Sequence, residues 1–154
     1  MGRAQAPRQQ ETVADVVAAL VNWARARPDF VVGTNEAGMR LGDDTRAADA
    51  AAWRRADTRR GDPGLRFVPP VLAVEVTGRE EGEQQLRDKA RWYLRVGVPV
   101  VWLVLPEVRE VVVITGAGAT RHRIGERLPA DPRLPDLARA VDEFFVQVSG
   151  AGPA

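Results

Sequence analysis

Glu75 is the residue whose surroundings first point to chemistry. It lies in the segment VLAVEVTG, where the apolar run from Val71 to Val76 predicts a central, buried β-strand. A carboxylate on such a strand is costly to bury unless it is paired, hydrogen-bonded or bound to a cation. Either a metal ion or a structural ion pair with Arg46 or Arg66 would satisfy this requirement.

Asp49 is the first candidate for a site shared with Glu75. It lies in the small, apolar segment AADAAAW, and residues 47–53 predict the preceding strand. Antiparallel pairing of the two strands would place both carboxylates on one edge, where they could hold Mg²⁺ or Mn²⁺. The backbone carbonyl of Val76 could complete the protein ligands, because Mg²⁺ normally keeps several waters. The alternative for Asp49 is a turn or cap carboxylate.

Lys89 is the only lysine among 22 basic residues, which indicates either chance or a position where a compact ammonium is needed. The periodicity predicts a helix over residues 80–96, after the Glu75 strand. From this helix the ammonium could reach back over the sheet. There it would orient or help deprotonate an attacking water, or stabilise charge on a phosphate. The alternative is a solvated charge paired with Asp88 or Glu83.

The arginines of a predicted loop over residues 54–70 are candidate contacts to nucleic acid. The net charge of +1 is too small for a general polyanion-binding surface, so such contacts must come from local clusters. Clustered guanidinium groups bind phosphates bidentately and with strong salt dependence. The candidates are Arg54, Arg55, Arg59 and Arg60. A solvated, mobile loop is the alternative, and Trp53 beside it could stack on a base or anchor the strand.

The composition excludes several other kinds of site. Cysteine is absent, so neither a disulfide framework nor a thiolate zinc site is possible, and His122 is the single histidine. Any metal must therefore be bound by oxygen ligands. The longest apolar run, Val98 to Leu105, is too short to span a bilayer, and the N-terminus is polar, so the cytoplasm is the expected location.

The 154 residues are enough for one domain with one core. The patterns predict a domain over residues 11–148, with disordered tails over 1–10 and 149–154. Apolar residues at helical spacing between Val13 and Ala24 predict a first helix, and residues 30–41 predict two short strands around a turn. After the Glu75 strand and its helix come a buried strand over 98–105, a hairpin over 110–124 and a closing helix over 134–145.

This arrangement resembles the PD-(D/E)XK nuclease superfamily, and more closely its Uma family of restriction-endonuclease-like proteins, over roughly residues 30–115. The residues that carry the resemblance are Arg46, Asp49, the strand Val74-Glu75-Val76, the pair Lys89 and Tyr93, the turn Gly97-Val98-Pro99, and Trp102. The resemblance implies an α/β fold with a restriction-endonuclease-like core. In that fold a mixed central sheet is flanked by helices, with a C-terminal hairpin and helix added.

The resemblance also implies a metal-dependent endonuclease. Asp49, Glu75 and Lys89 would be catalytic, and the nucleic-acid partner would be DNA. Tyr93 is a further candidate contact to nucleic acid, the alternative being core packing with an exposed hydroxyl. The sequence departs from the family pattern at Ala48, Thr77, Gln85 and Leu105. A second hypothesis is therefore a catalytically degenerate binding module, with a homodimer formed through the apolar hairpin over residues 111–114.

Overall fold

The structure is a computed structural model that describes residues 7–58, 66–78 and 81–150, without the side chains of residues 35–37. The strands are β1 (Phe30–Leu41), β2 (Asp44–Arg54), β3 (Leu72–Val76), β4 (Val100–Leu105), β5 (Glu110–Thr115) and β6 (Gly118–Arg123). The helices are α1 (Pro7–Arg25), α2 (Glu83–Arg95) and α3 (Val146–Gly150), with 3₁₀ turns at Arg55–Asp57 and Val141–Phe145.

Within the described residues the strands form one six-stranded sheet in the order β1-β2-β3-β4-β5-β6. Only β3 and β4 are parallel, and α2 connects them, as a parallel pair requires a crossover. The other neighbours are antiparallel hairpins or meanders. The mixed α/β fold expected from the resemblance is therefore confirmed.

Helix α1 covers one face of the sheet. Its buried residues Val16, Ala19, Leu20 and Trp23 recur at helical spacing and pack with Val74 and other side chains from that face. The 3₁₀ turn and α3 complete this layer. The core on this face is thus built between the sheet and the two ends of the chain.

Helix α2 covers the opposite face. Leu86, Ala90, Trp92 and Tyr93 pack against Ala73 and other alternate residues of the central strands. Because β3 alternates its side chains, its even-numbered residues point toward α1 and its odd-numbered residues toward α2. Glu75 belongs to the α2 side, and this determines where its partners must come from.

Three expectations about the elements are corrected. Residues 30–41 form one continuous strand, and the turn lies after it, where Gly42 adopts a positive φ of 65°. The tail over residues 1–10 is too long by several residues, because α1 begins at Pro7 and proline is favoured in a first helical turn.

The predicted closing helix over residues 134–145 is also wrong. Asp136 adopts a positive φ of 65°, and the backbone of Leu128 donates to Arg139 while that of Val141 donates to Glu126. The segment therefore begins with turns, residues 139–141 pair with residues 126–128, and helical structure begins only at the 3₁₀ turn. In the described part of the chain, no helix is long and apolar enough to cross a bilayer.

Candidate active site at the end of strand β3

The site begins where the pairing between β2 and β3 ends. The register runs from Ala52↔Leu72 to Ala50↔Val74, so Asp49 is the next residue of β2 and Glu75 the next of β3. Beyond this point the backbone N–H of Val76 donates to Asp49 Oδ2 at 2.7 Å. The side chain of Asp49 thus takes the place of a backbone carbonyl as the acceptor for β3. This hydrogen bond holds the Asp49 carboxylate at the edge of β3.

A bulge in the neighbouring strand explains the orientation of Asp49. Thr34 pairs with Ala50 but Ala37 pairs with Ala48, so two residues of β1 face Asp49 alone. Such irregularities bend a strand and redirect side chains. Side chains two residues apart on a regular strand face the same side of the sheet. Across the bulge this alternation changes, because Ala48 packs on the α2 face whereas Ala50 packs on the α1 face.

Glu75 is buried, at 4% exposure, and both of its carboxylate oxygens are bonded to α2. Tyr93 Oη donates to Oε2 at 2.8 Å, and Lys89 Nζ donates to Oε1 at 3.3 Å. Lys89 and Tyr93 are four residues apart and therefore lie on the same side of the helix. The partner that a carboxylate on this strand requires is thus supplied by the crossover helix.

The environment raises the pKa of Glu75 from 4.5 to about 7. Burial is the largest cause and repulsion by the Asp49 carboxylate is the second, and together they outweigh Lys89 and Tyr93, which favour the ionised form. Two carboxylates that repel each other at the end of a buried strand would be stabilised by a cation. This is the electrostatic signature expected of a functional site.

Lys89 is half-buried and bridges two carboxylates, because it also donates to Glu81 Oε2 at 2.9 Å. Burial alone would lower the pKa of Lys89, but Glu75 and Glu81 outweigh that effect and the pKa is raised. The ammonium therefore stays protonated near neutral pH. Within the described residues, neither of the alternative partners of Lys89 contacts it. Asp88 bonds instead to Gln84 and Arg91, and Glu83 bonds to Arg87 and Arg121.

Tyr93 lies inside the site. The residue is 2% exposed, and the pKa of its hydroxyl is raised by burial and by Glu75. The expected exposed hydroxyl is therefore wrong, because this group donates to Glu75. In this conformation the ring presents no face to nucleic acid.

The carbonyl of Val76 points to the same edge as Asp49, but helix α1 already contacts it. Gln9 Nε2 donates to Val76 O at 3.1 Å. The amide oxygen of Gln9 lies close over Gly78, where an added Cβ would be 2.8 Å from it. A cation bound to the Val76 carbonyl would therefore share this oxygen with Gln9 or displace it.

The donor set at this edge fits a hard divalent cation. The two carboxylates of Asp49 and Glu75 and the carbonyl of Val76 are all oxygen donors, which Mg²⁺ and Mn²⁺ prefer. The described residues contain no group of three or more acidic, histidine or cysteine side chains placed to hold a metal. A metal here would therefore depend on two carboxylates, with water completing its shell.

The predicted loop arginines lie away from this edge. Arg54 ends β2, five residues from Asp49, which is roughly 16 Å along an extended strand. Arg55 donates to the carbonyl of Pro28, near the end of α1. The structure does not bring either one to Glu75. Arg59 and Arg60 lie outside the described residues.

The remaining alternatives are also resolved by contacts. Within the described residues, Arg46 and Arg66 have no ion pair with Glu75; their guanidinium groups lie over Trp92 and Trp53. Trp53 anchors its strand, because its indole donates to Val68 O at 3.0 Å.

Several neighbours of the site were not found by sequence reasoning. Glu81 was read as part of the helix, although it precedes α2 and pairs with Lys89. The predicted tail includes Gln9, although Pro7 indicates that the helix starts earlier.

The proposed dimer surface over residues 111–114 is wrong, because these residues of β5 are buried within the sheet.

Comparison with known proteins identifies the family of this chain. The Uma2 family model, described as "Putative restriction endonuclease", matches residues 1–142. The chain belongs to the Uma2 family. The resemblance inferred from the residues is thus confirmed, and the family description supports a nuclease. A comparison with curated proteins found no match.

A solved structure shares the fold. It is described as a "putative nuclease belonging to DUF820" from Anabaena variabilis ATCC 29413. The similarity has a TM-score of 0.81 at 12% sequence identity and covers 95% of this chain and 83% of that chain. At 12% identity, this similarity is evidence only for the fold of this Uma2 protein.

Proposed function

We propose that this Uma2 protein is a metal-dependent endonuclease that hydrolyses phosphodiester bonds of DNA in the cytoplasm. The single observation that carries the proposal is the cluster at the end of β3. There a buried carboxylate with a raised pKa lies beside a second carboxylate and a protonated lysine. Family membership is consistent with this chemistry.

Asp49 and Glu75 would hold Mg²⁺ or Mn²⁺ together with the Val76 carbonyl. When bound, such an ion supplies Lewis acidity toward a phosphoryl oxygen and lowers the pKa of water. Asp49 is already held in place for this role, because its carboxylate accepts a hydrogen bond from the backbone N–H of Val76, on the strand that carries Glu75. Glu75 would exchange its bond to Lys89 for the cation.

Lys89 would stabilise negative charge on the phosphate in the transition state. Its raised pKa argues against the alternative that it deprotonates the attacking water, since a base must first lose its proton. A preorganised cation in a partly desolvated site favours a developing negative charge more than water does. Releasing Lys89 from Glu75 would leave its ammonium held by Glu81 beside the reacting phosphate.

Tyr93 would position Glu75 rather than contact substrate. Its hydroxyl is fixed by the buried ring and leaves one carboxylate oxygen in a defined place. This hydrogen bond favours the ionised form of Glu75, which is the form that binds a cation.

A second candidate is a catalytically degenerate member that binds nucleic acid or a protein. The observation in its favour is that the proposed metal ligands already have partners. Glu75 is bonded on both oxygens, and the Val76 carbonyl accepts from Gln9. In such a protein the cluster would be a structural ion pair.

Cleavage and metal uptake together separate these two functions. Labelled single- and double-stranded DNA and RNA are incubated with Mn²⁺, Mg²⁺ or a chelator, using the wild type and Asp49→Asn. Calorimetry with Mn²⁺ is run on the same preparations, and circular dichroism shows that both proteins are folded. We expect Mn²⁺ binding and DNA cleavage by the wild type, and loss of both in the variant.

The opposite result would overturn the proposal. If the folded wild type cuts none of the four substrates and takes up no Mn²⁺, the cluster is structural and the binding-module candidate replaces the nuclease. If cleavage persists in chelator, the activity is not metal-dependent; if it persists in Asp49→Asn, the catalytic site is elsewhere.

A further inference from the structure

A candidate phosphate contact lies beside the cluster, on the strand that carries Asp49. Arg46 precedes Asp49 by three residues in β2, and its side chain is exposed. With Ala47, Lys89, Trp92 and Tyr93 it lines a small cavity of about 40 Å³. This arginine therefore borders the proposed active site, whereas Arg54 and Arg55 do not.

The guanidinium group of Arg46 is held in position by an aromatic platform. It lies over the ring of Trp92, with 4.9 Å between Cζ and the ring centroid. Trp92 is itself fixed, because it is 5% exposed and its indole N–H donates to Asp44 Oδ2 at 3.0 Å. Stacking on a fixed ring restricts the side chain before any ligand binds, and it leaves the N–H donors at the guanidinium edge accessible.

The charge of Arg46 is also available. Among the described residues, no carboxylate forms an ion pair with Arg46, although the neighbouring basic residues on α2 are paired. Arg87 pairs with Glu83, Arg91 with Asp88. An arginine at the rim of a site that has a packing partner, and no carboxylate partner among the described side chains, is suited to bind an anion brought by the substrate.

We infer that Arg46, stacked on Trp92, binds a backbone phosphate of the nucleic acid within a few nucleotides of the bond that is cleaved. This inference rests on the proposed nuclease function and names a substrate contact for it. Three residues of extended strand span about 10 Å. One strand of DNA rises 3.4 Å per nucleotide, so the contacted phosphate would lie within about three nucleotides of the reacting one.

The test is the salt dependence of DNA binding. Wild type, Arg46→Ala, Arg46→Lys and Arg91→Ala are titrated with a fluorescent DNA duplex in chelator, so that metal-dependent cleavage does not interfere. Arg91 is the matched control, because it is an exposed arginine on α2 that already has a carboxylate partner. Each affinity is measured over a series of NaCl concentrations.

One phosphate contact contributes about 0.9 to the slope of log K against log salt, which amounts to about eightfold in affinity at 0.1 M salt. For Arg46→Ala we expect a slope smaller in magnitude by about 0.9 and an affinity about eightfold weaker than the wild type at 0.1 M salt, and for Arg91→Ala the wild-type values. Arg46→Lys should retain the slope, since it keeps the charge, but bind more weakly than the wild type because the planar fork is lost.

Two negative outcomes are distinguishable. If the wild type binds DNA and cleaves it with Mn²⁺ while Arg46→Ala has the same slope and affinity, the phosphate contact is overturned and the nuclease function stands. If the wild type neither binds nor cleaves nucleic acid, the proposed function fails and the inference fails with it.

Discussion

Helix α2 takes part in two clusters of polar and charged side chains, and the glutamates Glu81 and Glu83, one in each cluster, are only two residues apart along the chain. The inner cluster consists of Glu75, Glu81, Lys89 and Tyr93, at the end of β3. The outer cluster consists of Glu83, Arg87, Glu110, Arg121 and Arg123, and joins the start of α2 to the β5–β6 hairpin. Each cluster contains glutamates bonded to cations at ordinary distances.

The surroundings of the two clusters have opposite effects on their glutamates. Burial and Asp49 raise the pKa of Glu75, whereas hydrogen bonds from Arg121 and Arg87 lower the pKa of Glu83 at the surface. The lowered pKa of Glu83 reflects the two arginines, which already stabilise its negative charge. Glu75 still lacks full compensation for its charge, so a further cation would stabilise it. Both clusters contain ion pairs, and the uncompensated charge of Glu75 is the property that distinguishes the inner cluster.

The largest expected difference is in catalysis. Glu75→Gln should lower metal-dependent cleavage by at least about a hundredfold, because an oxygen ligand loses its charge while the shape of the site is kept. Glu83→Gln is the matched control and should remain within about twofold of wild type. Initial rates with Mn²⁺ at saturating DNA measure both. Equal losses in the two folded variants would show that the inner cluster has no special role.

Lys89→Ala should lower kcat by about 10² to 10³, since a preorganised charge at the phosphate is removed. Arg121→Ala removes a cation bonded to two glutamates of the outer cluster and should leave kcat unchanged. Single-turnover rates separate this effect from substrate binding. A loss seen only in KM would assign Lys89 to binding rather than to the transition state.

Stability should depend on pH with opposite signs in the two clusters. The folded-state pKa of Glu75 is raised to about 7. The stability that its protonated form adds to the folded protein is therefore fully present below pH 4.5 and is lost as pH rises toward 7. The pKa of Glu83 is lowered, so its contribution is present above pH 4.5 and is lost as pH falls below it. Between pH 4.5 and 7, wild type should therefore lose stability relative to Glu75→Gln.

Urea unfolding in chelator at a series of pH values tests this difference. Over the same interval, the difference in unfolding free energy between wild type and Glu83→Gln should stay constant. Parallel curves for wild type and Glu75→Gln would mean that Glu75 titrates normally, and the contrast between the clusters would disappear.

The smallest expected effects are on stability at neutral pH. Tyr93→Phe removes a buried hydrogen bond to a carboxylate, for which about 1.5 to 3 kcal/mol is typical. Arg121→Ala breaks exposed ion pairs and should cost less than about 1 kcal/mol, decreasing with added salt. Denaturant unfolding at two salt concentrations measures both. A larger, salt-insensitive cost for Arg121→Ala would show that the outer cluster is the more important one.

The sequence by itself determined the residues that make the site possible. A glutamate inside an apolar strand must have a partner, and the single lysine lay on the helix that follows. The absence of cysteine restricted any metal to oxygen ligands. These conclusions need only local patterns and desolvation energies, and for that reason the strand, the helix and a place for Lys89 in one site with Glu75 could be predicted.

Tertiary structure decided which other side chains surround that pair. The bulge opposite Asp49, the reach of Gln9 to Val76, and the stacking of Arg46 on Trp92 each join residues far apart in sequence. The predicted closing helix failed for a related reason. Its backbone pairs with residues 126–128, and such long-range hydrogen bonds override the local helical pattern.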